Sequence, residues 1–329
     1  MEVGCYGTRK DTKIILVCIS EFSLSALTIR LITGDTYAKM IKRLKYRDDG
    51  ILLNGERVTV RRILKVGDKI SLAIEDTESS ESASPSDINV DVIYEDSEII
   101  VADKPPFMPT HPSHGHHDDT LANALASYFS KKNTPFVFRP INRLDRNTSG
   151  LVIVAKNKFS AAALTKAMKE KRIKKTYIAF LSGYLPDPEK TVEYLGMKLG
   201  VIDMPIHRTA ESIIVREVCS GDLPDAEEAL TYYRIINRNE ECTEVEIFPQ
   251  TGRTHQLRVH FSAIGHPIIG DDMYGISSDL ISRHALHAIK LDFPCPSAVG
   301  EASSESEIHL TAPLPKDMEL VKKYFFEKG

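Results

Sequence analysis

Between residues 75 and 87 the chain reads Glu-Asp-Thr-Glu-Ser-Ser-Glu-Ser-Ala-Ser-Pro-Ser-Asp, thirteen residues with five carboxylates and no large apolar side chain. A run of this kind has too little apolar surface to offset the entropy of ordering it, so it cannot contribute to a core. The 329 residues must therefore divide around it. The expected organisation is a small N-terminal module over 1–74, an acidic Ser-rich linker over 75–89 and a large domain over 90–329.

With 42% hydrophobic and 27% charged residues the chain has the composition of a globular protein, which excludes collagen-like and wholly disordered classes. No stretch approaches the roughly 18 apolar residues of a membrane span, and Asp11, Lys13 and Glu21 interrupt the place of a signal peptide. A cytoplasmic location without a membrane partner is expected. Cys5, Cys18, Cys219, Cys242 and Cys295 include no C-x-x-C pair, so neither a disulfide framework nor a zinc cage is indicated.

The net charge of −4 conceals strong segregation. Residues 30–70 carry eleven basic and five acidic side chains, and 101–183 carry fourteen and five. Between them 71–100 has nine acids and no base, while 184–250 has six bases and fourteen acids. Basic blocks on separate modules are how a phosphate-binding footprint is written in sequence. A polyanionic partner is expected to meet the 30–70 and 101–183 faces.

The N-terminal module shows a helical pattern over 36–46, then an Asn54-Gly55 pair between apolar runs, the signal of a tight hairpin, and a second turn at Val66-Gly67-Asp68. In the large domain, apolar runs at 92–94 and 99–102 flank a polar turn. Helices are expected over 120–129, capped by Asp119 or Thr120, and over 158–174. Strands are expected at 150–156, 175–181, 229–237, 243–248 and 285–292, with low complexity at 300–307. Strands outnumber helices and no regular βαβ alternation occurs, which points to an α+β domain around a mixed, mostly antiparallel sheet.

The chemistry concentrates in Asn142-Arg143-Leu144-Asp145-Arg146-Asn147-Thr148-Ser149-Gly150. Asp145 lies between two arginines in a polar turn that feeds an apolar strand, where nearby cations favour a charged carboxylate. Spacing alone leaves open a structural ion pair as the alternative. The histidines His111, His114, His116 and His117 read as a polar loop, since no Cys or paired carboxylates accompany them. No P-loop or G-x-G-x-x-G occurs. No metal and no cofactor is expected.

Arg-Leu-Asp-x-x-Thr-Ser-Gly-Leu around Asp145 resembles the active-site signature of the RluA-type pseudouridine synthases. Four further stretches agree in order: Lys104-Pro105 with His111-Pro112-Ser113, Lys175-Thr176-Tyr177-Ile178-Ala179, Thr251-Gly252-Arg253-Thr254-His255-Gln256-Leu257-Arg258-Val259-His260 followed by Gly270-Asp271, and Leu286-His287-Ala288. The N-terminal helix and hairpin resemble the S-four-type RNA-binding module. The resemblance implies a pseudouridine synthase fold with a small α/β RNA-binding module, and an isomerase acting on uridine in RNA, ribosomal rather than transfer RNA. It implies Asp145 as nucleophile or base, Arg253 as its partner, and Tyr177 as a stacking surface under uracil that assists proton loss from C5. Thr254 is expected to cap the helix that follows Arg253, with Leu257, Phe261 and Ile264 on its apolar face. Asn142, Arg143, Lys156, Lys174 and Lys175, with Lys42 and Arg43 of the module, are the expected RNA contacts, and the protein is expected to act as a monomer. The alternative is a non-catalytic RNA-binding or ribosome-assembly protein on the same fold.

Overall fold

The computed structural model describes residues 5–10, 13–18, 22–23, 44, 46–58, 62–73, 79, 83–296 and 307–327, with the strands before residue 44 described as backbone alone. Lys42, Arg43, nearly all of the helix expected over 36–46 and most of 300–307 lie outside the described residues.

The first strands are β1 (Cys5–Lys10), β2 (Lys13–Cys18), β3 (Phe22–Ser23), β4 (Ile51–Leu53), β5 (Glu56–Arg57), β6 (Ile63–Leu64) and β7 (Lys69–Ala73). Five of them form an antiparallel sheet in the order β1-β2-β7-β4-β5, and β3 pairs β6. Asn54 and Gly55 close the β4–β5 hairpin with φ of 52° and 93°. Such a two-residue loop needs left-handed backbone at both positions, which Asn and Gly adopt most readily. Asn54 Nδ2 donates to Asp68 Oδ1 at 2.8 Å and its Oδ1 accepts from Lys69 N at 2.9 Å, fastening the hairpin to the second turn.

The second sheet is built from β8 (Asp91–Glu95), β9 (Ile99–Lys104), β10 (Ser149–Ala155), β11 (Lys174–Ser182), β12 (Thr191–Tyr194), β13 (Met197–Asp203), β16 (Leu230–Arg238), β17 (Cys242–Pro249), β18 (Leu286–Pro294) and β19 (Glu307–Thr311), while β14 (Ile206–Arg208) and β15 (Arg216–Val218) make a separate hairpin. Its order is β12-β13-β16-β17-β11-β18-β10-β9-β8, with β19 added on β18. Only β10 and β18 run parallel among the described strands of this sheet. The helices are α1 (Leu121–Lys131), α2 (Lys158–Lys169), α3 (Gln256–Ala263) and α4 (Lys316–Phe326). This is the α+β architecture with a mostly antiparallel sheet that the strand-rich pattern predicts.

Both faces of the middle of the sheet are covered. Ile100, Ala102, Val152 and Val154 face a core completed by Leu121, Leu125, Phe129, Phe180, Phe261, Met318 and Val321. The alternate residues Ile99, Val101, Leu151 and Ile153 pack with Leu164, Ala167 and Phe293. Every residue of β10 is buried, which is why it reads as a continuous apolar run rather than an alternating one. Gly150 opens that strand at φ 117°, and a Cβ there would lie 2.3 Å from Ala288 O, so the parallel β10–β18 contact requires glycine.

Two local features differ from the expectation. The helix expected over 158–174 stops at Lys169, because Lys171 takes the left-handed conformation and Arg172 N returns to Ala167 O, a helix-ending arrangement that frees the chain to start β11. The acidic segment is also not wholly detached. Asn123, fully buried on α1, donates from Nδ2 to Ser84 O at 2.8 Å, Ser79 Oγ accepts from Phe136 N, Ala83 is buried, and Ile88 and Val90 join the core. A buried amide must find partners, and this one draws 83–89 onto the large domain.

Candidate active site

The Asp145 turn is held from three sides. Asn142 bridges it to β10, donating from Nδ2 to Leu151 O at 3.0 Å and accepting from Ile153 N at 2.9 Å. Leu144 points inward, and its carbonyl accepts from Thr110 Oγ1 at 3.0 Å. Below the turn Lys104 is completely buried, and its Nζ donates to Pro105 O, Met108 O and Arg146 O at 2.8–3.1 Å. Burial pulls this ammonium down to about 7, offset in part by the charge of Asp145. The three carbonyls match its three donors and favour the charged form. Behind the turn, Arg283 Nη1 donates to Asn147 O at 3.2 Å, Thr148 Oγ1 is hydrogen-bonded to His284 Nε2 at 2.8 Å, and Ser149 Oγ to His287 Nδ1 at 2.9 Å. Burial pushes His284 down to about 3 and His287 to about 4, so both imidazoles are neutral braces.

With its backbone locked, the turn presents the Asp145 side chain, 30% exposed, to a cavity of about 710 Å³. Tyr177 faces the same cavity from β11. Burial, with the Asp145 charge adding to it, pushes its phenol well above the usual range. The cation beside Asp145 is Arg258 of α3, with Nη1 3.7 Å from Asp145 Oδ2. Arg258 is itself anchored by a bidentate pair to Asp271, Nε–Oδ2 and Nη2–Oδ1 both at 2.7 Å, and its guanidinium lies 4.9 Å from the Tyr274 ring centre. Burial would raise the Asp271 carboxyl, but Arg258 holds it below the ordinary carboxylate range. His255 Nδ1 and Tyr274 Oη, 2.8 Å apart, complete this wall.

Arg253 does not pair with Asp145. Its Nε donates to Glu228 O at 2.9 Å and its Nη1 to Glu227 Oε1 at 3.1 Å. The cause is the loop before α3, where Gln256 Oε1 accepts from Thr251 Oγ1 and from Arg253 N, folding that loop back and aiming Arg253 toward the glutamates. Arg253 still lines the cavity, but the residue beside Asp145 is Arg258, five residues further on and inside α3. Thr254 is not the N-cap either. His255 holds that position with φ 58° and no side-chain cap. Leu257 and Phe261 are buried and Ile264 packs on the core, as their spacing predicts.

Of the expected RNA contacts, Arg143, Lys174 and Lys175 line the cavity. Asn142 lines it too, but its amide is consumed by β10 and it is a structural bracket. Lys156 is likewise engaged internally, donating to Glu95 Oε1 at 3.0 Å and Asp96 O at 2.6 Å. In the histidine loop, His116 pairs with Asp119 Oδ2 at 2.6 Å, and His111 packs edge-on against Phe138 at the cavity rim. Sequence reasoning missed Arg258, Asp271, Tyr274 and His255 as parts of the site. Arg258 and Asp271 stand inside quoted motifs, so the signal was present. Nothing in the spacing selects Arg258 over Arg253.

Comparison with known proteins agrees with this geometry. Residues 98–263 match the family described as RNA pseudouridylate synthase. The RNA pseudouridine synthase YjbO of Bacillus subtilis (strain 168) is 33% identical over 280 residues, 85% of this chain and 92% of the relative. Ribosomal large subunit pseudouridine synthase D of Vibrio parahaemolyticus is 34% identical over 286 residues, 82% of this chain and 81% of the relative. The structure of human RNA pseudouridylate synthase domain containing 1 superposes with a TM-score of 0.54 at 28% identity, over 68% of this chain and 83% of that one. The chain belongs to the RNA pseudouridine synthase family and is an isomerase that converts uridine in RNA to pseudouridine.

Proposed function

We propose that Asp145 is the catalytic group of this isomerase and that its substrate is ribosomal RNA. One observation supports the first part most directly. Asp145 is the only acidic side chain among the described residues lining the cavity, against eight arginines and lysines. A polyanion is drawn to such a wall, and the one carboxylate within it is where a bound nucleotide meets a base or nucleophile. The name of the Vibrio relative, a synthase of the large ribosomal subunit, supports the second part.

The reaction breaks the bond from uracil N1 to C1′ of the ribose, turns the base, joins C5 to C1′, and moves a proton from C5 to N1. Asp145 starts it either by attack at C1′ or by taking a ribose proton. Both routes use the same carboxylate, and trapping of an Asp145 ester distinguishes them. Arg258 orients that carboxylate. Tyr177 serves as the wall on which uracil stacks and assists the loss of the C5 proton. The target base leaves its stack to enter, and Arg143 at the rim fills the space it vacates. Residues 1–74 act as an RNA-binding module, with Lys42 and Arg43 among its phosphate contacts, joined through 75–89 to the catalytic domain. The protein works as a cytoplasmic monomer.

The test is to map pseudouridine in ribosomal and transfer RNA from cells with and without the protein. The mapped RNA is then treated with the purified enzyme and its Asp145→Asn variant. The expected outcome is a ribosomal uridine that only the wild type converts, while the variant binds the RNA unchanged. Turnover by Asp145→Asn would refute the catalytic assignment, and conversion confined to transfer RNA would refute the substrate.

A further inference from the structure

Most cations of the cavity wall are either paired or peripheral. Arg258 is committed to Asp271 and Asp145, Arg253 to Glu227 and Glu228, and Arg143, Arg146, Lys169 and Lys171 are exposed side chains at the rim. Lys174 and Lys175 differ. Both are half-buried and line the cavity without a hydrogen bond or ion pair among the described residues, and Lys175 is the one whose ammonium lies against Gly252. Burial lowers it from the ordinary lysine range, and no carboxylate stands close enough to oppose that shift. Its Nζ hangs over Gly252, 3.6 Å from where a Cβ would be, so a bare stretch of backbone leaves room beside the charge.

Its place on β11 sets what it can reach. Lys175 and Tyr177 both line the cavity from β11, whose pairing with β18 shifts register between Thr176 and Tyr177, and they stand two residues and so roughly 7 Å apart along the strand. That is comparable with the span from a base to the phosphate of its own nucleotide. A cation desolvated without a counter-ion is unfavourable in the free protein, and only an arriving anion relieves it. Asp145 is already beside Arg258, so the anion comes with the substrate.

We propose that Lys175 grips the backbone phosphate of the flipped target nucleotide itself, setting the depth at which its uracil meets Tyr177. It is thus a positioning residue at the nucleotide, distinct from the rim cations that track neighbouring RNA. The proposal rests on Asp145 marking the centre of an RNA uridine isomerase.

The experiment uses the full-length protein and the shortest RNA stem-loop that carries the mapped uridine. Lys175→Gln should raise KM roughly 10- to 100-fold, the effect of losing one charge-assisted contact, with kcat little changed. It should also reduce the slope of log Kd against log salt by about 0.7 to 0.9, one phosphate's worth. Lys175→Arg should retain most of the affinity. An uncharged methylphosphonate at the target nucleotide should cost the wild type a similar factor and cost Lys175→Gln nothing more. Equal penalties for both proteins, an unchanged KM, or a loss confined to kcat would overturn the proposal. Should Lys175→Gln fail to fold, the methylphosphonate is walked along the RNA with the wild type, and an equal penalty at every position overturns it. If the wild type converts no uridine at all, the functional reading fails instead, and the two failures are distinguishable.

Discussion

Replacing Arg258 by Met isolates the pair that holds the active site together. Arg258 and Asp271 are both buried, at 6% and 0% exposure, and meet through two contacts of 2.7 Å. Removing one partner of a buried ion pair costs about 3–5 kcal/mol, mostly because the other charge is left without compensation. Asp271 Oδ1 keeps backbone donors from Met273 and Tyr274, each at 3.2 Å, which places the expected loss near the lower end, about 3 kcal/mol. At roughly 2–4 °C per kcal/mol for a domain of this size, the midpoint should fall by about 6–12 °C. The lost cation 3.7 Å from Asp145 should also lower kcat, by about 10²-fold for an ångström-scale displacement of the carboxylate, measured well below both midpoints. Urea unfolding of Arg258→Met, Asp271→Asn and the double variant gives the coupling, expected to exceed about 1 kcal/mol, and the double variant should regain stability without regaining activity. The sign with pH follows from the lowered Asp271 carboxyl. Its stabilisation is complete above the ordinary aspartate value near 3.8 and is lost as pH falls through the depressed folded value. In Arg258→Met burial acts on Asp271 without that guanidinium to oppose it and raises its carboxyl above the ordinary aspartate range, so the gap between wild type and variant should begin to narrow as pH falls through that raised value and close progressively toward the depressed wild-type value. Single variants that each cost under about 1 kcal/mol, or costs that simply add, would refute the reasoning.

Two other outcomes are expected. Deleting residues 1–78 should leave a folded, converting domain with weaker RNA binding, whereas deleting 1–90 should lower the unfolding free energy by about 2 kcal/mol or more, read as a lower urea midpoint, because Asn123 loses Ser84 and the core loses Ile88 and Val90. Equal midpoints would contradict the docking of 83–89, and loss of folding in the shorter deletion would contradict the division of the chain. His284 and His287 have folded values of about 3 and about 4, so the unfolded chain takes up their protons first as pH drops below about 6.5. Stability should fall across pH 6.5 to 4, by up to about 1.4 kcal/mol per unit for each imidazole, and His284→Gln with His287→Gln should flatten that limb in a denaturation series. A limb of unchanged slope would mean that other groups produce it.

Much of the fold was legible because its signals are local. The Asn54-Gly55 hairpin, the Thr120 cap of α1 and the apolar run Leu151–Ala155 of β10 each follow from neighbouring residues, and each stands where its pattern predicts. The short strands β12, β14 and β15 were not read, since three or four residues such as Thr191–Tyr194 are too few to establish a period, and the seven-residue β13 was missed as well. The early end of α2 was missed because Lys171 adopts a left-handed conformation that nothing in its chemistry announces.

The site divides in the same way. The amino-acid sequence by itself determined that Asp145 lies on a polar turn entering an apolar strand, that Lys175 and Tyr177 stand on one strand, and that basic residues dominate 101–183. Those are statements about residues within one element, where spacing dictates geometry. Only the tertiary structure decided that Arg258 rather than Arg253 stands beside Asp145, that Asn142 and Lys156 are used internally, and that Lys104, Arg283, His284 and His287 brace the turn from behind. Each depends on how Gln256 folds a loop back or on which buried polar atoms meet across distant strands. Such partners are selected by the need to satisfy every buried donor, acceptor and charge at once, which no local pattern encodes.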